Sequence, residues 1–215
     1  MAIKGLRVPV FGKYGFDGNK VTYTGGFVCG KAVEYGVELD TGDDNPLYAD
    51  DGIAENDYGV MTGGTLTLNT TDLDQQTTKA LLGVKEIERT VGEKKVTELV
   101  YDDDAKSEPM GFGVIEVHQI NNVDKYRAVI LAKITPKIPP EAATTKGEAI
   151  EWQTKEIECS IGRSEEDSEK YKHPWKYEAW FDTAAEAMEY LKEVLGVTDA
   201  EQVSRANKMA KGEEK

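Results

Sequence analysis

The chain has 215 residues, 40 of them Asp or Glu against 26 Lys or Arg, for a formal net charge of −14. That length allows one sizeable domain that buries its own core without covalent staples. Acidity of this size argues against generic affinity for nucleic acid or anionic membranes, because phosphate contacts need Lys and Arg. There is no apolar run of about 18 residues to make a transmembrane helix, and Pro9 breaks the short apolar patch of the first residues, so no secretory signal is read there. The cysteines Cys29 and Cys159 lie far apart and read as reduced, buried small hydrophobes.

Along the chain, "GLRVPVFGKY" mixes apolar residues with Gly and Pro, as an N-terminal arm or edge strand does. "GGFVCGKAVEYGVEL" is extended, with Val28, Ala32, Val37 and Leu39 facing a core and its glycines marking bulges or close backbone approach. In "LYADDGIAEN", Asp51-Gly52 predicts a type I′ hairpin turn pairing Leu47–Ala49 with Ile53–Glu55. "GGTLTLNT" alternates, with Leu66 and Leu68 on one face and Thr65 and Thr67 on the other.

The period then changes. Leu73, Thr77, Ala80 and Leu81 make one helix face, with Thr71 as N-cap, Asp72 and Asp74 in the first turn, and Gly83 as the left-handed stop. "KKVTELVYDDDAKSEP" reads as a strand and a charged loop. "MGFGVIEVHQI" and "KYRAVILAKITP" form a long hairpin around "NNVD", ended by Pro136, Pro139 and Pro140. A further alternating strand carries Ile150, Trp152, Ile157, Cys159 and Ile161. A charged loop, "EEDSEKYKHP", separates it from the final strand, "WKYEAWF".

Thr183 and Glu186 form a capping box for a helix whose stripe is Ala184, Ala187, Met188, Leu191, Val194 and Leu195, stopped by Gly196. The remainder, 197–215, reads as a polar tail that frays or orders only on binding.

No catalytic constellation is visible. The acidic stretch (Asp43 and Asp44, then Asp50, Asp51, Glu55 and Asp57) lacks the EF-hand spacing, since starting at Asp43, Asp44 or Asp50 never puts Gly at position 6. The run Asp102 to Asp104 points its side chains to opposite faces if extended. His118 and His173 show no metal-ligand spacing, and there is no nucleophile elbow, dinucleotide fingerprint or phosphate loop. The expectation is a mainly β (α+β) protein with no cofactor, no metal and no catalytic role.

The order of segments resembles a known family. "NPLYADDGIAENDYGVMTGGTLTLNTTDLDQQTTKALLG", the block "GFGVIEVHQINNVDKYRAVILAKITPKIPPEAATTKGEAIEWQTKEIECSI" and "WKYEAWFDTAAEAMEYLKEVLG" are together similar to the major tail protein, or tail tube protein, of long-tailed bacteriophages. The resemblance covers roughly residues 3–196; Cys159-Ser160, where a small residue such as Gly is expected, and the tail after Gly196 depart from it.

The resemblance implies a β-sandwich or barrel flanked by an α-helix, with a long β-hairpin loop and a C-terminal helix, similar to type VI secretion tube proteins. It implies a tail tube domain over 1–196, with an N-terminal arm at 1–15 and an extended loop at 42–61. It also implies hexameric rings that stack into a tube around a tape-measure protein. Tail terminator and distal tail proteins would be further partners.

Double-stranded DNA would later pass the lumen without specific binding. The location would be the virion tail, and the host cytoplasm during assembly. An acidic lumen would repel DNA phosphates and keep the duplex from sticking.

Ring-to-ring contact is expected from Asp43, Asp44, Leu47, Tyr48, Asp50, Asp51, Ile53, Glu55, Asp57 and Tyr58. An inter-subunit arm is expected from Leu6, Val8, Val10 and Phe11. The alternative is a β-sandwich binding module of a virion or cell surface, which would need a concave aromatic cluster.

Overall fold

The computed structural model describes residues 2–71, 73–145 and 153–211. Ile150 and Trp152 lie outside the described residues. Among the described residues, twelve strands and three helices follow in the order β1 (Ala2–Phe16), β2 (Val21–Val28), β3 (Ala32–Thr41), β4 (Asn45–Ala49), β5 (Gly52–Asp57), β6 (Met61–Thr70), α1 (Gln75–Leu82), β7 (Lys85–Val91), β8 (Lys94–Val100), β9 (Met110–Ile120), β10 (Val123–Pro136), β11 (Lys155–Gly162), β12 (Lys176–Phe181), α2 (Ala184–Leu195) and α3 (Ala200–Lys211). The protein is mainly β, with a large antiparallel sheet and helices packed on it.

The main sheet runs β2-β1-β9-β10-β11-β6-β3, with β12 on the first half of β10. It curls on itself. Tyr35 of β3 meets the Phe112 ring of β9 at 6.4 Å between centroids and hydrogen-bonds Glu116. The concave side therefore encloses a core of Phe11, Phe27, Leu66, Leu68, Phe112 and Leu131, closed at one end by Leu81 and Leu82 of α1. Strand alternation puts the neighbours of these residues on the convex side. There Val8, Val10, Val28, Ile115 and Ile130 meet Met188, Leu191 and Leu195 of α2 and Ala206, Met209 and Ala210 of α3. One sheet thus separates two apolar cores.

Much of the local sequence reading holds. Leu66 and Leu68 are fully buried, and both hydrogen bonds of the Thr183–Glu186 capping box are formed. Asn121 and Asn122 turn the β9–β10 hairpin with positive φ, as a type I′ turn requires. Val28 faces the second core; Ala32 and Val37 pack against the first, but Leu39 is exposed. Glycines 25 and 26 do form a bulge, since the β1–β2 register shifts between Phe11 and Lys13.

Four readings are corrected. Residues 1–15 were expected as an arm or edge, but β1 is interior at its centre: residues 10–13 lie between β2 and β9, while 2–7 pair with β9 alone and so keep an edge. Pro9 is tolerated because it sits at a bulge, where the β9 register shifts between Arg7 and Val10. The N-cap of α1 is Asp74, whose carboxylate accepts from Thr77 N at 2.7 Å, and Thr71 lies before it.

The region 197–215 is not simply a polar tail, because α3 is part of the second core. Arg7 donates to the Ala210 carbonyl, and Gln202 accepts from Val28 N at 3.1 Å. Finally, the strand read at "KKVTELV" has a partner the sequence reading missed, β7, joined through Gly92 at positive φ.

Candidate interaction surface

Strands β3 and β6 pair from Ala32↔Thr70 to Thr41↔Met61, and the chain between them continues as the smaller sheet β4–β5. The joint between the two sheets is held by backbone. Gly42 N donates to Val60 O at 2.9 Å, and Asp44 accepts from Gly59 N at 3.0 Å. A Cβ on Gly59 would overlap the Gly42 carbonyl, so only glycine lets the two strands approach this closely.

Beyond the joint, β4 and β5 leave the main sheet, and none of their residues is buried. The turn lies one residue earlier than Asp51-Gly52. Asp50 and Asp51 take φ of 50° and 63°, and Gly52 pairs with Ala49. Asp tolerates the left-handed region well enough to hold both central positions. Leu47 pairs with Glu55 and Tyr48 with Ile53, so the expected pairing forms around a shifted turn.

The projection presents Leu47, Tyr48 and Ile53 near its turn and Tyr58 and Val60 beside the joint, each at least 60% exposed. Asp43, Asp44, Asp50, Asp51, Glu55 and Asp57 surround them, all exposed. The structure therefore brings all ten proposed loop residues together on one projecting hairpin. It does the opposite for the proposed arm. Val8, Val10 and Phe11 are at most 1% exposed and belong to the chain's own cores, and Leu6 packs against the first of them. They are spoken for inside the subunit, where withdrawing them would cost on the order of 2 kcal/mol per side chain.

A second polar feature lies on the concave face. Glu116, 4% exposed, accepts from the Tyr35 hydroxyl, from Arg127 Nη1 at 3.1 Å, and meets His118 Nε2 at 2.8 Å. Arg127 also bonds Glu178, and the His118 ring packs on Trp180 at 4.8 Å. Burial pushes the Glu116 carboxyl up, but its hydrogen bonds and the Arg127 charge outweigh this and hold it below its usual range. The group ties β3, β9, β10 and β12 together.

A pH dependence follows. A depressed carboxylate stabilises the fold fully above its ordinary value of 4.5 and loses that contribution as pH falls through the depressed one. Glu116→Gln is expected to cost about 2 kcal/mol at neutral pH and to flatten part of the stability loss below pH 4.5, read by urea unfolding across pH.

Other chemistry is not gathered. Among the described residues no three His, Cys, Asp or Glu side chains converge as a metal site, and no helix is long and apolar enough to cross a membrane. His173 is in a loop, its Nδ1 3.1 Å from the Ser164 carbonyl. Both thiols are buried and pushed up to about 12, chiefly by burial, which makes them inert as nucleophiles. Trp175 packs against the first core, whereas Trp180 is 44% exposed. No protein-family model matches the chain, and no curated protein matches it.

Proposed function

We propose that the chain is the structural subunit of a phage tail tube. Six copies close into a ring, and rings stack into a hollow tube that surrounds a tape-measure protein and later passes DNA. The observation that carries the reading is the β4–β5 tip. A two-stranded hairpin alone in water is marginal, and this one exposes Leu47, Tyr48 and Ile53 near its turn and Tyr58 and Val60 at its base. Such a tip gains its stability from a neighbour.

A subunit that offers a projecting hairpin at one end builds a heterologous contact, and heterologous contacts continue as rings or filaments. The ordered sequence blocks that resemble tail tube proteins point the same way. On this reading the tail terminator and distal tail proteins cap the two ends, and part of the −14 charge lines the lumen, where it repels DNA phosphates. No catalytic residue takes part.

Negative-stain microscopy of the purified protein tests the reading. Rings or tubes on the order of 100 Å across are expected from six domains of this size. Particles that stay monomeric at every concentration overturn it.

A further inference from the structure

The hairpin from Ala32 to Thr70 carries nine carboxylates and no lysine or arginine. Two such tips repel one another, so the tip needs a receiving surface of other chemistry. The β7–β8 hairpin offers one. It too forms a separate two-stranded sheet, with β7 exposed along its whole length.

Its register pairs Ile87 with Glu98, Arg89 with Val96, and Val91 with Lys94, which places these residues and Lys85 on one face. Ile87, Val91 and Val96 are exposed there. Lys85, Arg89 and Lys94 surround them; Glu98 bonds Arg89 and Asp102, just past the end of β8, bonds Lys85, which leaves Lys94 as the net positive charge of the face. Glu86 and Glu88 are on the opposite face. Three of the four cations of β7 and β8 are thus on the apolar side, and the fourth, Lys95, bonds Glu88 on the other.

The two hairpins also leave the body at opposite ends. β6 starts at the β4–β5 joint, Met61, and ends at Thr70, from where the chain enters α1 and then β7.

We propose that the β4–β5 tip of one copy docks on the apolar, basic face of the β7–β8 hairpin of the next copy. This rests on the tail-tube reading and names the surface that receives the tip. Apolar contact between Ile53 or Tyr48 and Val96 or Ile87 supplies affinity, and the opposed charges fix polarity and suppress tip-to-tip pairing.

Cysteine cross-linking tests it. Ile53→Cys and Val96→Cys are placed on separately tagged full-length chains, mixed, mildly oxidised and run without reductant. Both positions are exposed and the native thiols are fully buried, so neither folding nor background pairing interferes. A 53–96 heterodimer is expected in the assembled fraction or, if no tubes form, among soluble copies at high concentration. Its absence overturns the docking. Tubes without the cross-link leave the tail-tube reading standing; the cross-link without tubes supports the docking while that reading falls.

Discussion

Replacing residues 42–60 by Asn-Gly is expected to abolish assembly while leaving a folded, soluble protein. The strands β3 and β6 pair up to Thr41↔Met61, so the two-residue turn closes a hairpin that already exists, with a sequence suited to it. Nothing in either core is removed, because none of the β4 or β5 residues is buried. The unfolding midpoint should therefore stay within a few degrees of the parent, consistent with surface changes of ~0.5 kcal/mol.

Assembly behaves differently. Five exposed apolar side chains leave with the tip. If each contributes ~1 kcal/mol after the costs of ordering, the concentration needed to polymerise rises by roughly three and a half orders of magnitude. Sedimentation and microscopy of parent and deletion at matched concentration check this. Tubes of normal length from the deletion refute the role given to the hairpin.

What could be read in the sequence was what is decided locally. The alternation in "GGTLTL", the capping box at Thr183 and Glu186, and the Asn121-Asn122 turn depend on a few neighbouring residues, and each forms as expected. Features decided at longer range were less legible. β7 was hidden because "KEIERTV" places charges at most positions, and only Gly92 before a second alternating run marks the pair. β1 looked like an edge throughout because Gly and Pro weaken a strand, and only the pairing of residues 10–13 with both β2 and β9 shows that its centre is interior.

α3 was hidden by composition. Its buried stripe is small and short, Ala206, Met209 and Ala210, and its value comes from the face of β1 and β2 beneath it. The acidic tip was legible as a surface hairpin, though the turn itself was placed one residue late. The Glu116 group could not be read at all, since its members are brought together from four strands.

Gly26→Ala is expected to destabilise the fold by about 3 kcal/mol and to lower the unfolding midpoint by roughly 6–12 °C for a chain of this size. The end of α2 is seated directly on the sheet. Gly26 N donates to Gly196 O at 2.9 Å, and a Cβ on Gly26 would lie 2.8 Å from Val197 N and nearer still to the Leu195 carbonyl. Gly12 meets the same carbonyl, and the Leu195 side chain fills the space above Gly111 and Gly113, at 2.9 Å and 2.7 Å from where a Cβ would stand.

The obstructing atoms at Gly26 are backbone, at the stop of a helix whose Gly196 is itself held at φ 67°. They cannot rotate aside, so α2 would have to lift off, loosening Leu195 and Leu191 from the second core. Gly36→Ala supplies the control: it lies in β3 with nothing within 4 Å of its Cβ position and should change stability by no more than ~0.5 kcal/mol. Thermal unfolding of the two variants beside the parent decides the matter, and equal midpoints for Gly26→Ala and Gly36→Ala would refute the seating of α2 on a glycine floor.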